Sequence, residues 1–202
     1  MKQLYLDKAF EITDNILSET TMSEPGGLVH WLHGRRPSFH SLYIKVGRNF
    51  EEWFKVVAED CGMILLDDGV TKNVVGSKSK DIDFIFKCET TKTIYYYEQK
   101  SNIELDTEKL PATYNKVKAV HKYLIETYKG YEIKSSILHW SEWNYDTLPK
   151  KYHTKIKQCK DNGVSVSWPK DLFKTLGADI SKKDYNSMGR KIGKNLKELY
   201  NE

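Results

Sequence analysis

Residues 80–100 contain two strand-like runs whose charged residues gather at one end, and this stretch constrains the fold more than any other. The runs 81–87 and 93–100 flank a short polar turn and are rich in Ile, Phe and Tyr, which suit a pleated sheet. Alternate side chains of a strand share one face. Pairing of the two runs as a hairpin would therefore bring together two or three carboxylates and one amine, those of Asp81, Asp83, Glu98 and Lys100.

A cluster of carboxylates within a few ångströms is costly, because like charges repel one another. A divalent cation is the usual way in which proteins relieve that repulsion. The hairpin therefore predicts that something uses its charged end, and a metal ion is the first hypothesis.

The composition predicts a soluble, cytoplasmic protein. The chain has 202 residues, 39% of them hydrophobic and 30% charged, which suits one sizeable domain with or without an appendage. No apolar run approaches the roughly 20 residues needed to span a bilayer, and the N-terminal stretch lacks a secretory signal. The three cysteines, Cys61, Cys88 and Cys159, have no metal-site spacing, so we expect buried thiols.

The charge is divided unevenly along the chain. Residues 109–202 carry 19 Lys and Arg against 10 Asp and Glu, whereas residues 1–108 carry 13 against 18. A basic half beside an acidic cluster is common in enzymes that act on a polyanion, although a solvated Lys-rich surface produces the same bias.

The spacing of apolar residues predicts a definite order of elements. Phe50, Trp53, Phe54 and Val57 form one helical stripe, and the runs on either side of the central hairpin alternate as strands do. The middle of the chain is predicted as helix 48–60, strand 63–68, strand 81–87, strand 93–100, helix 107–129 and strand 132–140. Further helices are predicted at 4–19, 169–177 and 181–200, with a short strand at 164–168.

This αβββαβ order, with Asp83 on the second strand and Glu98-Gln99-Lys100 on the third, resembles the PD-(D/E)XK nucleases and especially the type II restriction endonucleases. A Glu-x-Lys alone recurs by chance, but an Asp 15 positions before it and a long helix after it are far more specific. The resemblance covers residues 47–140. It implies an α/β (α+β) fold with a central mixed β-sheet flanked by helices, as one nuclease domain with recognition or dimerisation elements in 1–46 and 141–202.

Two positions depart from the family pattern. No proline precedes either aspartate, so Asp81 stays an alternative to Asp83, which is favoured because an aliphatic residue precedes it and a hydrophobic run follows it. Gln99 stands where the family usually has an aliphatic residue facing the core, and a buried amide there has to find hydrogen-bond partners.

The resemblance implies a site for Mg²⁺, with Mn²⁺ able to substitute. Asp83 and Glu98 would supply carboxylate ligands, the Gln99 backbone carbonyl a further one, and Lys100 would orient or activate a water. Glu51, in the preceding helix, would hold a second metal or a metal-bound water, although an ion pair with Lys55 is its ordinary role.

The resemblance also implies the partners. Enzymes of this kind usually act as homodimers on short palindromic sites in double-stranded DNA, leave 5′-phosphates and accompany a cognate DNA methyltransferase. The first helix or the aromatic residues Trp140 and Trp143 could supply the dimer contact. A zinc site at the histidines of residues 28–47 is less expected than a DNA-contacting loop there. The predicted DNA-binding residues are Arg35, Arg36, His40, Lys109, Lys182, Lys183, Arg190 and Lys191.

Three other functions stay open at this point. A structure-specific repair nuclease or junction resolvase of the same superfamily would cut with little sequence preference. A DNA-binding module on the same fold would bind DNA in a salt-dependent way without cleaving it. A Lys-rich scaffold protein would leave the carboxylate cluster unexplained. His121 lies on the apolar stripe of helix 107–129 and is expected to be a core or edge residue.

Overall fold

The computed structural model describes residues 4–11, 14, 39–66, 82–101, 103 and 109–201, with backbone alone for 39–43 and 198–201. The chain divides into two compact units. One comprises Met1–Phe54 with Asp179–Glu202, and the other comprises Lys55–Ala178.

The second unit is built on a five-stranded mixed sheet flanked by helices, which confirms the predicted class of fold. The strands occur in chain order across the sheet. The first three are antiparallel, and the last two each pair in parallel with the strand before them. They are β1 (Ile64–Leu65), β2 (Phe84–Cys88), β3 (Thr93–Lys100), β4 (Glu132–His139) and β5 (Ser165–Ser167).

The hairpin of β2 and β3 has a fixed register. Cys88 pairs with Thr93 at the turn and Phe84 pairs with Tyr97 at the other end. The turn itself is held by Glu89, whose carboxylate pairs with Lys87 and Lys92 and accepts a hydrogen bond from the Tyr131 hydroxyl. The hydrogen bond from Lys87 contributes most, and those from Lys92 and Tyr131 add to it, so that the pKa of Glu89 is lowered to about 2. Because a slip of one residue would turn every side chain to the other face, this register fixes the face on which the charged residues lie.

A long helix, α2 (Lys109–Thr127), connects β3 to the parallel strand β4. Parallel strands need such a crossover, and the helix buries its apolar side against one face of the sheet. The buried helix residues are Leu110, Thr113, Tyr114, Val117, Val120 and Leu124. They share the core of this unit with Ile85, Ile94, Tyr96 and Ile137 from the strands.

Shorter elements complete the second unit: two 3-10 turns (Tyr145–Thr147 and Lys150–Tyr152), α3 (His153–Asp161) and α4 (Pro169–Leu176). Proline suits the first turn of α4 because it has no N–H that needs a partner there. The Trp168 N–H donates to the Asp171 carboxylate at 3.1 Å and so begins the helix. Gly177 ends it in the left-handed conformation, with φ of 72°.

The first unit contains helical residues 4–11 and two long helices. One is α5 (Lys182–Asn201), and the other is α1 (Phe39–Asp60), which continues into the second unit. Phe50, Trp53 and Tyr185 are buried, with the Trp53 ring 5.9 Å from Phe50 and 6.2 Å from Tyr185. The Trp53 indole N–H donates to the Tyr5 carbonyl at 2.8 Å.

Where the structure describes the elements, most predicted bounds hold to within a few residues, and strand 93–100 holds at both ends. Residues 12–13 and 15–19 of the predicted helix 4–19 lie outside the described residues. The clearest error is at the start of α1, which begins at Phe39 and not at residue 48. His40, predicted to lie in a DNA-contacting loop, is therefore helical. Phe39, Tyr43, Val46 and Phe50 follow a helical spacing in the sequence, and the polar residues between them hid it.

The cysteines differ from the sequence expectation. All three cysteines are free, but only Cys159 is buried, since Cys61 and Cys88 are half-exposed at a helix end and at the end of β2. The prediction of three buried thiols is therefore wrong for two of them. No described helix is long and apolar enough to cross a membrane.

Candidate active site

The charged end of the hairpin carries Asp83, Glu98 and Lys100, and the structure brings these three side chains together. Asp83 directly precedes β2, whereas Glu98 and Lys100 lie among the last three residues of β3. Extension of the strand register by one residue places Asp83 opposite Glu98. The Lys100 Nζ lies 2.6 Å from Glu98 Oε1 and 3.8 Å from Asp83 Oδ2. The predicted convergence is thus present, while the roles of the residues stay predictions.

A second lysine, which the sequence reasoning missed, also binds both carboxylates. Lys116 of α2 places its Nζ 2.6 Å from Glu98 Oε2 and 3.6 Å from Asp83 Oδ1. We call Asp83, Glu98, Lys100 and Lys116 the carboxylate–lysine quartet. Its formal charges cancel, so the crowded carboxylates are neutralised by the protein itself.

Two hydrogen bonds fix the carboxylates further. The Tyr96 hydroxyl, also missed from sequence, donates to Glu98 Oε2 at 2.8 Å. The backbone N–H of Gln99 donates to Asp83 Oδ2 at 2.7 Å. Burial, with the Glu98 carboxylate next, raises the pKa of Tyr96, so this hydroxyl stays protonated and acts as a donor. Every carboxylate oxygen of the quartet therefore has at least one donor or cation beside it.

The two carboxyl groups titrate in opposite directions. Burial and then repulsion from Glu98 raise the pKa of Asp83, and the lysines and the Gln99 N–H offset this only in part. Burial also acts to raise the pKa of Glu98, but its ion pairs with Lys100 and Lys116 outweigh burial and leave that pKa lowered. Glu98 is therefore the firmly ionised member of the pair, and Asp83 is the more readily protonated one.

Gln99 points to the other face of the sheet, where its side chain is 4% exposed. Neither its Oε1 nor its Nε2 has a hydrogen-bond partner among the described residues. The expectation that this buried amide would find partners is therefore not met within that part of the chain. Because the N–H and C=O of a strand residue point to the same side, its backbone carbonyl lies on the Asp83 side of β3.

His139 of β4 is an additional histidine next to the quartet. It pairs with Lys100 in the parallel register and stacks on Trp168, with ring centroids 5.2 Å apart. Burial lowers its pKa to about 4, so the ring is neutral at pH 7. Its Nδ1 has no partner within the described residues.

The remaining predicted site residues are not tested by contacts with the quartet. Asp81 lies outside the described residues. Glu51 is half-buried in α1 and belongs to the first unit, so its role as a second acidic ligand stays a prediction.

The predicted DNA-binding residues fall into two groups. Arg35 and Arg36 lie outside the described part of the chain, and only the backbone of His40 is described. The others are exposed, as a role in binding a polyanion requires: Lys109 begins α2, and Lys182, Lys183, Arg190 and Lys191 lie on α5.

A cleft of about 560 Å³ lies elsewhere in the second unit, beside the part of β4 that β5 does not cover. It is lined by His121 and Ser135, whose Nδ1 and Oγ are 2.9 Å apart. A serine hydrolase would need a carboxylate to orient the histidine. None of the described carboxylates pairs with His121, so this cleft lacks the third member and the quartet is the stronger candidate. His121 is half-buried at the edge of α2, as predicted.

Comparison with known proteins assigns no family: the sequence matches no family model and no curated protein. Within the described residues, no three His, Cys, Asp or Glu side chains are grouped to hold a metal ion. Function therefore has to be inferred from the quartet and its place in the fold.

Proposed function

We propose that this protein is a Mg²⁺-dependent DNA endonuclease of the PD-(D/E)XK type, acting as a type II restriction enzyme on a short palindromic sequence. One observation carries the proposal: Asp83, Glu98 and Lys100 meet at the same end of two neighbouring antiparallel strands, with Lys100 within 4 Å of both carboxylates. A buried pair of carboxylates with an adjacent lysine can hold a metal ion and place a positive charge beside a scissile phosphate, which supports hydrolysis of a phosphodiester.

The connections between the elements support the same proposal. A helix is followed by three antiparallel strands, a crossover helix and a parallel strand, which is the order expected for a nuclease of this type. The carboxylates lie at the end of β3 from which the chain leaves for α2. Ligands of sheets with crossover helices bind at such carboxyl ends of strands.

The donor set fits Mg²⁺ in its chemistry. Asp83 and Glu98 offer hard oxygen ligands, and the Gln99 carbonyl is on the same side of β3. Two carboxylates suffice, because Mg²⁺ keeps several waters and bridges to substrate phosphate. Burial and then the Glu98 charge raise the pKa of Asp83, and an added cation would favour the ionised form of this carboxyl. When bound, the ion would stabilise charge on the scissile phosphate and acidify a water.

The other residues of the site have separable roles in this proposal. Lys100 would hold the attacking water or the charged phosphate oxygen, since its ammonium lies within 4 Å of both carboxylates. Tyr96 would hold Glu98 in place through its hydroxyl. The exposed lysines of α5 and Lys109 would contact phosphates, which position a duplex without reading its sequence.

The direct experiment is plasmid cleavage in Mg²⁺ by wild type, Asp83→Ala and Lys100→Ala, with Lys122→Ala as a matched control. Lys122 is exposed on α2, where it pairs with Glu126 at 3.9 Å. We expect both site variants to lose at least about 100-fold in rate, the typical cost of a catalytic group, and the control to cut normally. Near-normal cutting by both site variants would refute the assignment.

The quartet also favours one alternative function, a DNA-binding module that does not cleave. Because Lys100 and Lys116 already neutralise both carboxylates, the cluster is electrostatically satisfied without a metal. Such a module would bind DNA with a strong salt dependence but show no cleavage with Mg²⁺ or Mn²⁺. A structure-specific nuclease would instead cut branched DNA, and discrete bands from a long linear duplex distinguish restriction from that activity.

A further inference from the structure

We propose that Lys116 is a built-in counter-ion that occupies the carboxylate pair in the resting protein and leaves it when a divalent cation binds. The inference deepens the proposed function and rests on it. It makes Lys116 the residue that sets the affinity of the site for metal, a role separate from that of Lys100.

The contacts place Lys116 where a bridging cation would be. Its Nζ reaches one oxygen of each carboxylate, Glu98 Oε2 at 2.6 Å and Asp83 Oδ1 at 3.6 Å. Lys100 takes the other oxygen of each pair. Each of the four oxygens thus has an ammonium within 4 Å, with the short contacts on Glu98, and a metal that takes an oxygen from each residue competes with one of the two ammonium groups.

Charge balance favours that displacement. The quartet is neutral as it stands, so a divalent ion added beside both lysines would leave two uncompensated positive charges at a largely buried site. Glu98 is 4% exposed and Asp83 and Lys116 are each 14% exposed at their side chains. At such depth, solvent screens charges that lie a few ångströms apart only weakly, so expulsion of one ammonium relieves a strong repulsion.

Lys116 is assigned the leaving role because the proposed function already gives Lys100 a role beside the bound metal. The assignment does not rest on exposure, since the Lys116 side chain is 14% exposed and that of Lys100 is 24% exposed. Lys116 lies at the border of the buried stripe of α2, with Ala112 one turn before it and Asn115 beside it both exposed. A lysine at such a border can keep its stem on apolar surface and turn its ammonium into water. Once released, the Lys116 ammonium would be free beside the site to meet a substrate phosphate.

The first test measures Mn²⁺ binding without DNA, by electron paramagnetic resonance of free Mn²⁺, for wild type, Lys116→Met, Lys122→Met and Glu98→Gln. Methionine keeps much of the aliphatic bulk and removes the charge. We expect Lys116→Met to bind Mn²⁺ at least roughly tenfold more tightly than wild type, because one repelling charge a few ångströms away is gone. Lys122→Met should match wild type, and Glu98→Gln should lose binding.

The second test uses the unaltered protein and so does not depend on the folding of a variant. Acetylation of individual lysines by a dilute reagent is followed by mass spectrometry with and without Mg²⁺. We expect Lys116 to be protected without metal and to react several-fold faster with it, while the rate at Lys122 stays constant.

The outcomes separate the two proposals. Wild-type Mn²⁺ binding that depends on Glu98, together with equal affinity in Lys116→Met and a metal-independent rate at Lys116, would overturn the counter-ion role and leave the nuclease intact. Absence of Mn²⁺ binding in both wild type and Lys116→Met, with no cleavage of DNA, would overturn the proposed function and this inference with it.

Discussion

Gln99→Met should stabilise the protein, because it replaces a buried amide whose polar atoms have no partner in the described residues. The side chain is 4% exposed, and both its donor and its acceptor are unpaired there. Each such group costs about 1–3 kcal/mol of desolvation. Methionine has a similar length and no branching at Cβ, so it can follow the same path through the core.

The expected gain in stability follows from the two unpaired side-chain atoms of Gln99, Oε1 and Nε2. The full penalty of two atoms is partly offset by imperfect packing of the thioether and by changes in the unfolded chain, so we expect a net gain of about 2 kcal/mol in the free energy of unfolding. For a chain of this length that gain corresponds to a rise of about 4–8 °C in Tm. DNA cleavage should persist, since the proposed ligand from this residue is its backbone carbonyl.

Urea denaturation followed by tryptophan fluorescence measures the change, and Gln158→Met is the matched control. Gln158 lies exposed on α3, in the same unit of the protein. We expect the control to shift the free energy of unfolding by less than about 0.5 kcal/mol, as exposed substitutions usually do. A Gln99→Met variant that is no more stable than wild type would show that the amide is satisfied, and the reasoning from its burial would be wrong.

Other predictions follow from the same contacts. Tyr96→Phe removes a donor to a buried carboxylate and should cost about 1.5–3 kcal/mol in urea denaturation; an unchanged midpoint would mean that the hydroxyl is dispensable. Because the pKa of Glu98 is lowered on folding, its stabilising contribution is complete above its unfolded pKa and is lost as pH falls below that value. Stability of Glu98→Gln should therefore fall less between pH 7 and pH 3 than that of wild type; equal losses would contradict the shift. The raised pKa of Asp83 has the opposite effect on stability, because the cost of ionising this carboxyl in the folded protein is relieved as pH falls. Gly177→Ala should cost about 1–2 kcal/mol because φ is 72° there. Gly189→Ala, inside α5 with open space around its Cα, should instead gain up to about 1 kcal/mol. If thermal melts showed a change in Tm of the same sign for both glycine variants, these two predictions would be refuted.

The hairpin could be predicted from sequence because its signals are local. Alternation of Ile, Phe and Tyr marks each strand, and the polar residues between them mark the turn, so β3 was predicted at both ends. The boundaries of β1 depend on pairing with β2, and within the described residues only Ile64 and Leu65 pair. A strand that short carries no alternation of its own, so the predicted strand 63–68 began one residue too early and included Leu66, which lies outside β1, while residues 67 and 68 lie outside the described part of the chain.

The start of α1 was missed for a related reason. Glycine at position 47 disfavours a helix locally, since glycine in a helix interior costs about 1 kcal/mol relative to alanine. Gly47 lies within the helix nonetheless, with nothing within 4 Å of a Cβ placed on it. Helices are held mainly by the packing of an apolar face, and Phe50, Trp53 and Phe54 supply that face one turn later.

The sequence analysis did not predict Lys116 as a site residue, although its position early in α2 and beside the apolar stripe can be read from the sequence. The predicted stripe on α2 used His121, whereas the buried stripe uses Thr113 and Val120. That small rotation moves Lys116 from the solvent side to the edge of the buried face. In a strand–helix–strand crossover, the first turns of the helix lie near the carboxyl end of the preceding strand, which here carries Glu98. A lysine within two turns of the start of such a helix, flanking its apolar stripe, is therefore placed to reach carboxylates at that strand end. The rotation of the helix about its axis decides whether it does, and that rotation is set by packing of Val117 and Val120 on the sheet and not by the charges themselves.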